Sequence, residues 1–96
     1  MRMPPIRWFK TKIIVSQIEQ ILEEILERDK CFNSTVFPML PKFIANRLKA
    51  KGIFVHETNI KYYFQYLEKY IVECTDIKVG NSKNGRLWVI KRKEEH

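Results

Sequence analysis

The amino-acid sequence predicts an α+β fold: a three-helix bundle closed by a C-terminal β-hairpin. Three observations lead there. Apolar residues recur at helical spacing in three stretches between residues 12 and 71. Gly52 and a short turn separate the second stretch from the third, the signature of a helix-turn-helix. Beyond Tyr70 the period drops to two, and a loop rich in Asn and Gly divides two strand-like runs.

The first helix is the clearest element and is expected over residues 12–29. Ile14, Ile18, Ile21, Leu22, Ile25 and Leu26 form a broad apolar stripe, and glutamates fill the opposite side. Glu24 and Arg28 stand four residues apart, which suits a surface pair. Residues 1–11 read as a basic arm: Pro4-Pro5 opposes helix, while Trp8-Phe9 supplies an anchor. Asn33-Ser34-Thr35 breaks the first helix, and Thr35-Val36-Phe37 is expected as a short strand before Pro38.

Pro41 suits the first turn of a second helix running to about Lys51. Leu40, Phe43, Ile44 and Leu48 face inward in it, and Lys42, Asn46 and Lys49 line up outside. Ile53-Phe54-Val55 is expected to plug the corner with its apolar side in, and Thr58 or Asn59 to cap the third helix. That helix is expected from there to Ile71, with Ile60, Phe64, Leu67 and Ile71 on its buried side. Tyr63 and Tyr70 belong with the core. The other side carries His56, Thr58, Asn59, Lys61, Tyr62, Gln65, Tyr66 and Lys69. These side chains hydrogen-bond base edges, hold phosphates or stack, so the face reads as one that docks into nucleic acid.

Ile77 and Val79 alternate with Lys78, and Arg86-Leu87-Trp88-Val89-Ile90-Lys91 resumes as a strand with Trp88 in the core. Asn84-Gly85 is the tightest turn signal between them, with Lys83 and Arg86 near the tip. Residues 93–96 form a charged tail.

Charge narrows the partner class. The net charge is +7 over 96 residues. Residues 13–29 hold Glu19, Glu23, Glu24, Glu27 and Asp29 against Arg28 alone. From Lys30 to Lys93 there are thirteen Lys or Arg and four carboxylates. A basic body behind an acidic helix attracts polyanions, of which nucleic acid is the commonest. Solubility charge is the bland alternative.

Other classes find little support. No Gly-rich phosphate loop, metal-ligand spacing or nucleophile–base pair stands out, so an enzyme is not expected, nor is a cofactor or small-molecule substrate. Cys31 and Cys74 are isolated and expected as buried free thiols, although one disulfide is open. The apolar runs are broken by charge too early to span a bilayer, and residues 1–12 lack the pattern of a signal peptide. A cytoplasmic location is expected. Twelve Ile, twelve Lys and only two Ala hint at an AT-rich or thermophilic source.

Helix, strand, helix, turn, helix and hairpin follow one another as in the winged-helix domain, and residues 12–92 resemble that family throughout. The likeness rests on Leu48-Lys49-Ala50-Lys51-Gly52-Ile53 at the turn, Ile60 to Leu67 on the third helix, and the hairpin around Asn81–Arg86. In size and style it is similar to small winged-helix transcription regulators, including compact ones from archaea and their viruses. One departure is a long turn, with Ile60 eight positions beyond Gly52. The resemblance implies a sequence-specific binder of double-stranded DNA, with the third helix in the major groove and the hairpin wing on the backbone. Asn59 and Gln65 would then meet adenine and Lys61 guanine or phosphate. Thr58, Tyr62, Tyr66 and Lys69 complete that face, with Lys42, Arg47, Lys49, Lys83 and Arg86 supplying positioning charge. A homodimer is expected, because one small domain reads few bases. A winged-helix protein-interaction module and an RNA or single-strand binder are the alternatives.

Overall fold

Among the described residues, ten aliphatic side chains at 2% exposure or less organise the fold, and five of them lie on its first helix. The computed structural model describes residues 6–28, 34–80 and 85–93. Its elements are α1 (Ile6–Arg28), β1 (Ser34–Pro38), α2 (Leu40–Ala50), α3 (Glu57–Tyr63), a 3₁₀ turn (Phe64–Tyr66), β2 (Tyr70–Lys78) and β3 (Arg86–Arg92). The fold is α+β, three helices and a three-stranded antiparallel sheet in the order β1-β3-β2.

The predicted stripe of α1 is buried throughout, Ile14 to Leu26, and Val15 joins it. Residues 6–11, expected within a basic arm, are instead the first turns of α1. The described helix begins at Ile6, the residue that follows Pro4-Pro5 in the sequence. Residues 1–5, including the rest of the arm, lie outside the described residues. The sheet lays Trp88 and Ile90 of β3 against the helical core, with Phe37 of β1 and Val72 of β2 packed beside them. Phe37 and Cys74 flank Trp88 in register, while Val36, Val89 and Glu73 share the opposite face.

Entry to α2 is through Met39, which takes φ 53°, a left-handed conformation that most side chains avoid. Its N–H donates to the Arg86 carbonyl at 2.9 Å, which ties this corner to the sheet. Leu40, Ile44 and Leu48 are fully buried, as their spacing predicts. The helix closes with the Ile53 N–H on the Leu48 carbonyl and the Gly52 N–H on Lys49, both 2.9 Å. Gly52 sits at φ 83°, so these two bonds form a Schellman cap in which glycine is the natural occupant.

The third helix departs most from its prediction. It spans seven residues instead of running to Ile71. Phe64–Tyr66 tightens into a 3₁₀ turn, Leu67 is extended, and Tyr70 already opens β2. Aromatic residues such as Tyr62-Tyr63-Phe64 are mediocre helix formers, and in the strand paired with β3 Tyr70 is buried and Val72 packs half-buried against the core. Ile71 consequently lies on β2 and is exposed. Ile60 is the one fully buried residue of α3, and cutting it to alanine removes roughly 2–5 kcal/mol of stability.

Three smaller expectations also change. His56, not Thr58 or Asn59, is the N-cap: its Nδ1 accepts from the Thr58 N–H at 3.2 Å. Glu24 pairs with Arg47 at 2.7 Å rather than with Arg28, because α2 brings a guanidinium across from a neighbouring element. Cys74 is free as expected but exposed, since its strand lies at the edge of the sheet, and its thiol donates to the Thr75 carbonyl. Cys31 lies outside the described residues.

Candidate nucleic-acid interface

Helical geometry gathers part of the predicted contact face. Thr58, Lys61, Tyr62 and Gln65 follow one another at steps of three, one and three along α3 and the 3₁₀ turn, which places them on one side. All four are exposed, as is Asn59 beside them. Two anchors hold the face in place. Ile60 is buried beneath it, and Phe64 meets the Trp88 ring edge-on with centroids 5.4 Å apart. The Lys61 ammonium lies 6.0 Å from the Trp88 ring centroid, at the outer limit of a cation–π contact.

Tyr62 and Tyr66 form a pair. Their hydroxyls are 2.8 Å apart and their rings meet edge-on at 5.4 Å. The hydrogen bond from Tyr62 is the main cause that holds the Tyr66 hydroxyl above the ordinary tyrosine value of 10.0. Tyr66 is half-buried against the core, so Tyr62 is the member that faces outward. Gln65 donates from Nε2 to the Tyr62 carbonyl at 3.0 Å, which restrains the amide most able to read a base edge. The His56 imidazole is engaged locally, with Nδ1 2.9 Å from the Thr58 hydroxyl.

Other predicted contacts are placed elsewhere. Lys69 is not on α3 but on the link into β2, where its N–H and that of Glu68 donate to Glu19 at 2.8 and 3.0 Å. A side chain of α1 thus fixes the point at which the helical path becomes a strand. Arg47 is exposed and pairs with Glu24 at 2.7 Å. Arg86 is half-buried, and its guanidinium donates to the Gly85 carbonyl. Lys83 and Asn84 lie outside the described residues. The hairpin around them is closed by Val79 donating to Gly85 at 3.1 Å, with Gly80 at φ 66°. Lys93, assigned to the tail, is also held, by its N–H on the Lys69 carbonyl and its ammonium on Leu67, each at 2.9 Å.

Lys42 and Lys49 do stand where the sequence puts them, exposed on α2. With Ala45 and Asn46 they line one wall of a groove of about 450 Å³. The other wall is the segment Phe54 to Glu57. Phe54 does not plug the corner. It is 77% exposed, while Ile53 and Val55 on either side are half-buried. The alternation was available in the sequence, since in an extended connection the middle of three apolar residues points away from its neighbours.

The acidic side of α1 is used internally. Glu19, Glu23 and Glu24 each hold a group from another element. Among the described residues, no three His, Cys, Asp or Glu are placed to hold a metal. No described helix is long and apolar enough to cross a membrane. Compared with known proteins, the chain matches no family model, no curated protein and no solved structure at a significant level.

Proposed function

We propose that this protein binds double-stranded DNA in a sequence-specific manner, as a transcription regulator with a winged-helix-like layout. In this reading α3 enters the major groove and the β2–β3 hairpin rests on the phosphate backbone. The observation that carries it is the exposed face of Thr58, Asn59, Lys61, Tyr62 and Gln65 on an otherwise core-anchored α3. Support also comes from the element order and from the sheet order β1-β3-β2.

Each side chain has a chemical task. The amides of Asn59 and Gln65 match the donor–acceptor pair of adenine in the major groove, and Lys61 matches guanine or a phosphate. Tyr62 offers a hydroxyl to a phosphate or a ring to a sugar. Lys42 and Lys49 neutralise backbone charge beside the helix, which sets register without reading sequence. Seven helical residues rise about 10 Å, the span of roughly three base pairs, so one copy reads a short site. Two copies on adjacent half-sites extend it, which makes a homodimer part of the proposal.

A salt titration of duplex binding tests the reading. With roughly six phosphate contacts, affinity drops about a thousandfold between about 50 and 200 mM salt. No measurable affinity for duplex DNA at the lowest salt would overturn it.

A further inference from the structure

We infer that the groove between α2 and the α2–α3 connection takes one unpaired nucleotide, its base against Phe54 and its phosphates on Lys42 and Lys49. The inference rests on the nucleic-acid partner proposed above and adds a second mode of contact. Phe54 is the most exposed of the large apolar side chains among the described residues. A single exposed ring is ordinary on a protein surface. This one stands at a groove whose opposite wall carries two ammonium groups and an amide.

The residues divide the ligand between them. Ala45 and Val55 supply apolar contact in the groove, and Phe54 supplies a ring face. Stacking needs the flat side of a base, and a base paired within a duplex shows only its edges. An unpaired base is therefore the partner that this ring fits. Lys42, Asn46 and Lys49 follow at steps of four and three along one side of α2, about 10 Å from first to last. That is long enough to reach the phosphates flanking one nucleotide, with the Asn46 amide left for a base edge. Glu57 also lines the groove and directs phosphate toward the lysine wall. The two lysines outnumber it, so the groove favours an anion. Its volume lies within the usual range for small-ligand sites.

The test compares three duplexes on the full chain: flush, with one unpaired thymidine, and with an abasic residue at the same point. The thymidine duplex should bind about tenfold tighter than the abasic one. Phe54→Ala should erase that difference and leave flush-duplex affinity unchanged; the position is exposed and outside the core, and circular dichroism checks that the variant is folded. Equal affinity for thymidine and abasic duplexes overturns the inference while leaving duplex recognition standing. If flush duplex does not bind, Phe54→Trp decides the groove by itself. Its added fluorescence should be quenched by oligothymidylate and not by an abasic strand. Quenching by a glutamate-rich peptide instead would assign the groove to a protein partner and overturn the inference.

Discussion

Glu23 of α1 holds Arg92 of β3 by two hydrogen bonds, 2.7 and 2.8 Å long, one to each carboxylate oxygen. The same carboxylate accepts the Tyr70 hydroxyl, and the guanidinium lies 5.7 Å from the centroid of the Tyr70 ring. Tyr70 and Arg92 are register partners across β2 and β3. One side chain of the first helix therefore clamps the end of the sheet to the helical layer.

Removing that clamp should be measurable. Arg92 is the main cause that holds the Glu23 carboxyl below its ordinary 4.5. A depressed carboxylate contributes stability above its unfolded value and loses it as pH falls through the lower folded value. Glu23→Gln should therefore cost roughly 1 kcal/mol at neutral pH, a modest figure because both side chains are 36% exposed. The gap to the native protein should close as pH falls below about 4.5. Urea melts at neutral and acidic pH provide the check, and a gap independent of pH would rule out the ion pair as its source.

The junction between the 3₁₀ turn and β2 depends on Glu19. Glu19→Ala leaves the exposed Glu68 and Lys69 N–H groups to water in place of that acceptor, at a cost of about 1 kcal/mol. Amide hydrogen exchange should accelerate first at these two residues. Unchanged exchange there would mean that the carboxylate is dispensable to the junction.

Gly52 tests the α2 cap. A Cβ built there meets nothing within 4 Å, so substitution carries no steric clash with neighbouring elements. The backbone still demands φ 83°, and Gly52→Ala should cost about 1 kcal/mol, read from a shift in the denaturation midpoint at constant slope. Replacement by Asn, which tolerates this conformation better, should cost less. Equal losses would place the effect outside the backbone angle.

Base reading and backbone positioning should separate. Gln65→Ala should cost roughly 1–3 kcal/mol on a preferred duplex and relax sequence preference, whereas Lys49→Ala should weaken all duplexes alike and flatten the salt dependence. Affinity measured over a panel of duplexes distinguishes them. Sequence-blind losses from both would count against base reading by α3.

The tyrosine pair has its own signature. Tyr62→Phe removes the hydrogen bond that raises Tyr66, so the Tyr66 hydroxyl should titrate closer to 10.0. Ultraviolet absorbance during an alkaline titration follows it, and an unmoved Tyr66 would place the cause elsewhere.

The core was legible wherever a helix buries a full stripe. Ile14 to Leu26 on α1, with Leu40, Ile44 and Leu48 on α2, could be read directly, because spacing alone fixes which residues share a side. A C-terminal hairpin was legible from the period-two run and the Asn/Gly-rich loop, the short first strand from Thr35-Val36-Phe37 ahead of Pro38, and the end of α2 from Gly52. The proposed contact residues Thr58, Asn59, Lys61, Tyr62 and Gln65 follow one another along α3 and the 3₁₀ turn and are all exposed. Tertiary structure alone decided where α3 ends. Tyr70 and Ile71 fit a helical period as well as a strand, and the choice fell to pairing with Arg92 and Lys91 and to the Glu23 carboxylate far away in the chain. It also decided which charges remain outward. Arg47 and Arg92 look alike in sequence to Lys42 and Lys49, but Glu24 and Glu23 of α1 reach their guanidinium groups. Local pattern determines which side of an element is buried; partners distant in sequence determine where elements stop and which polar groups are already engaged.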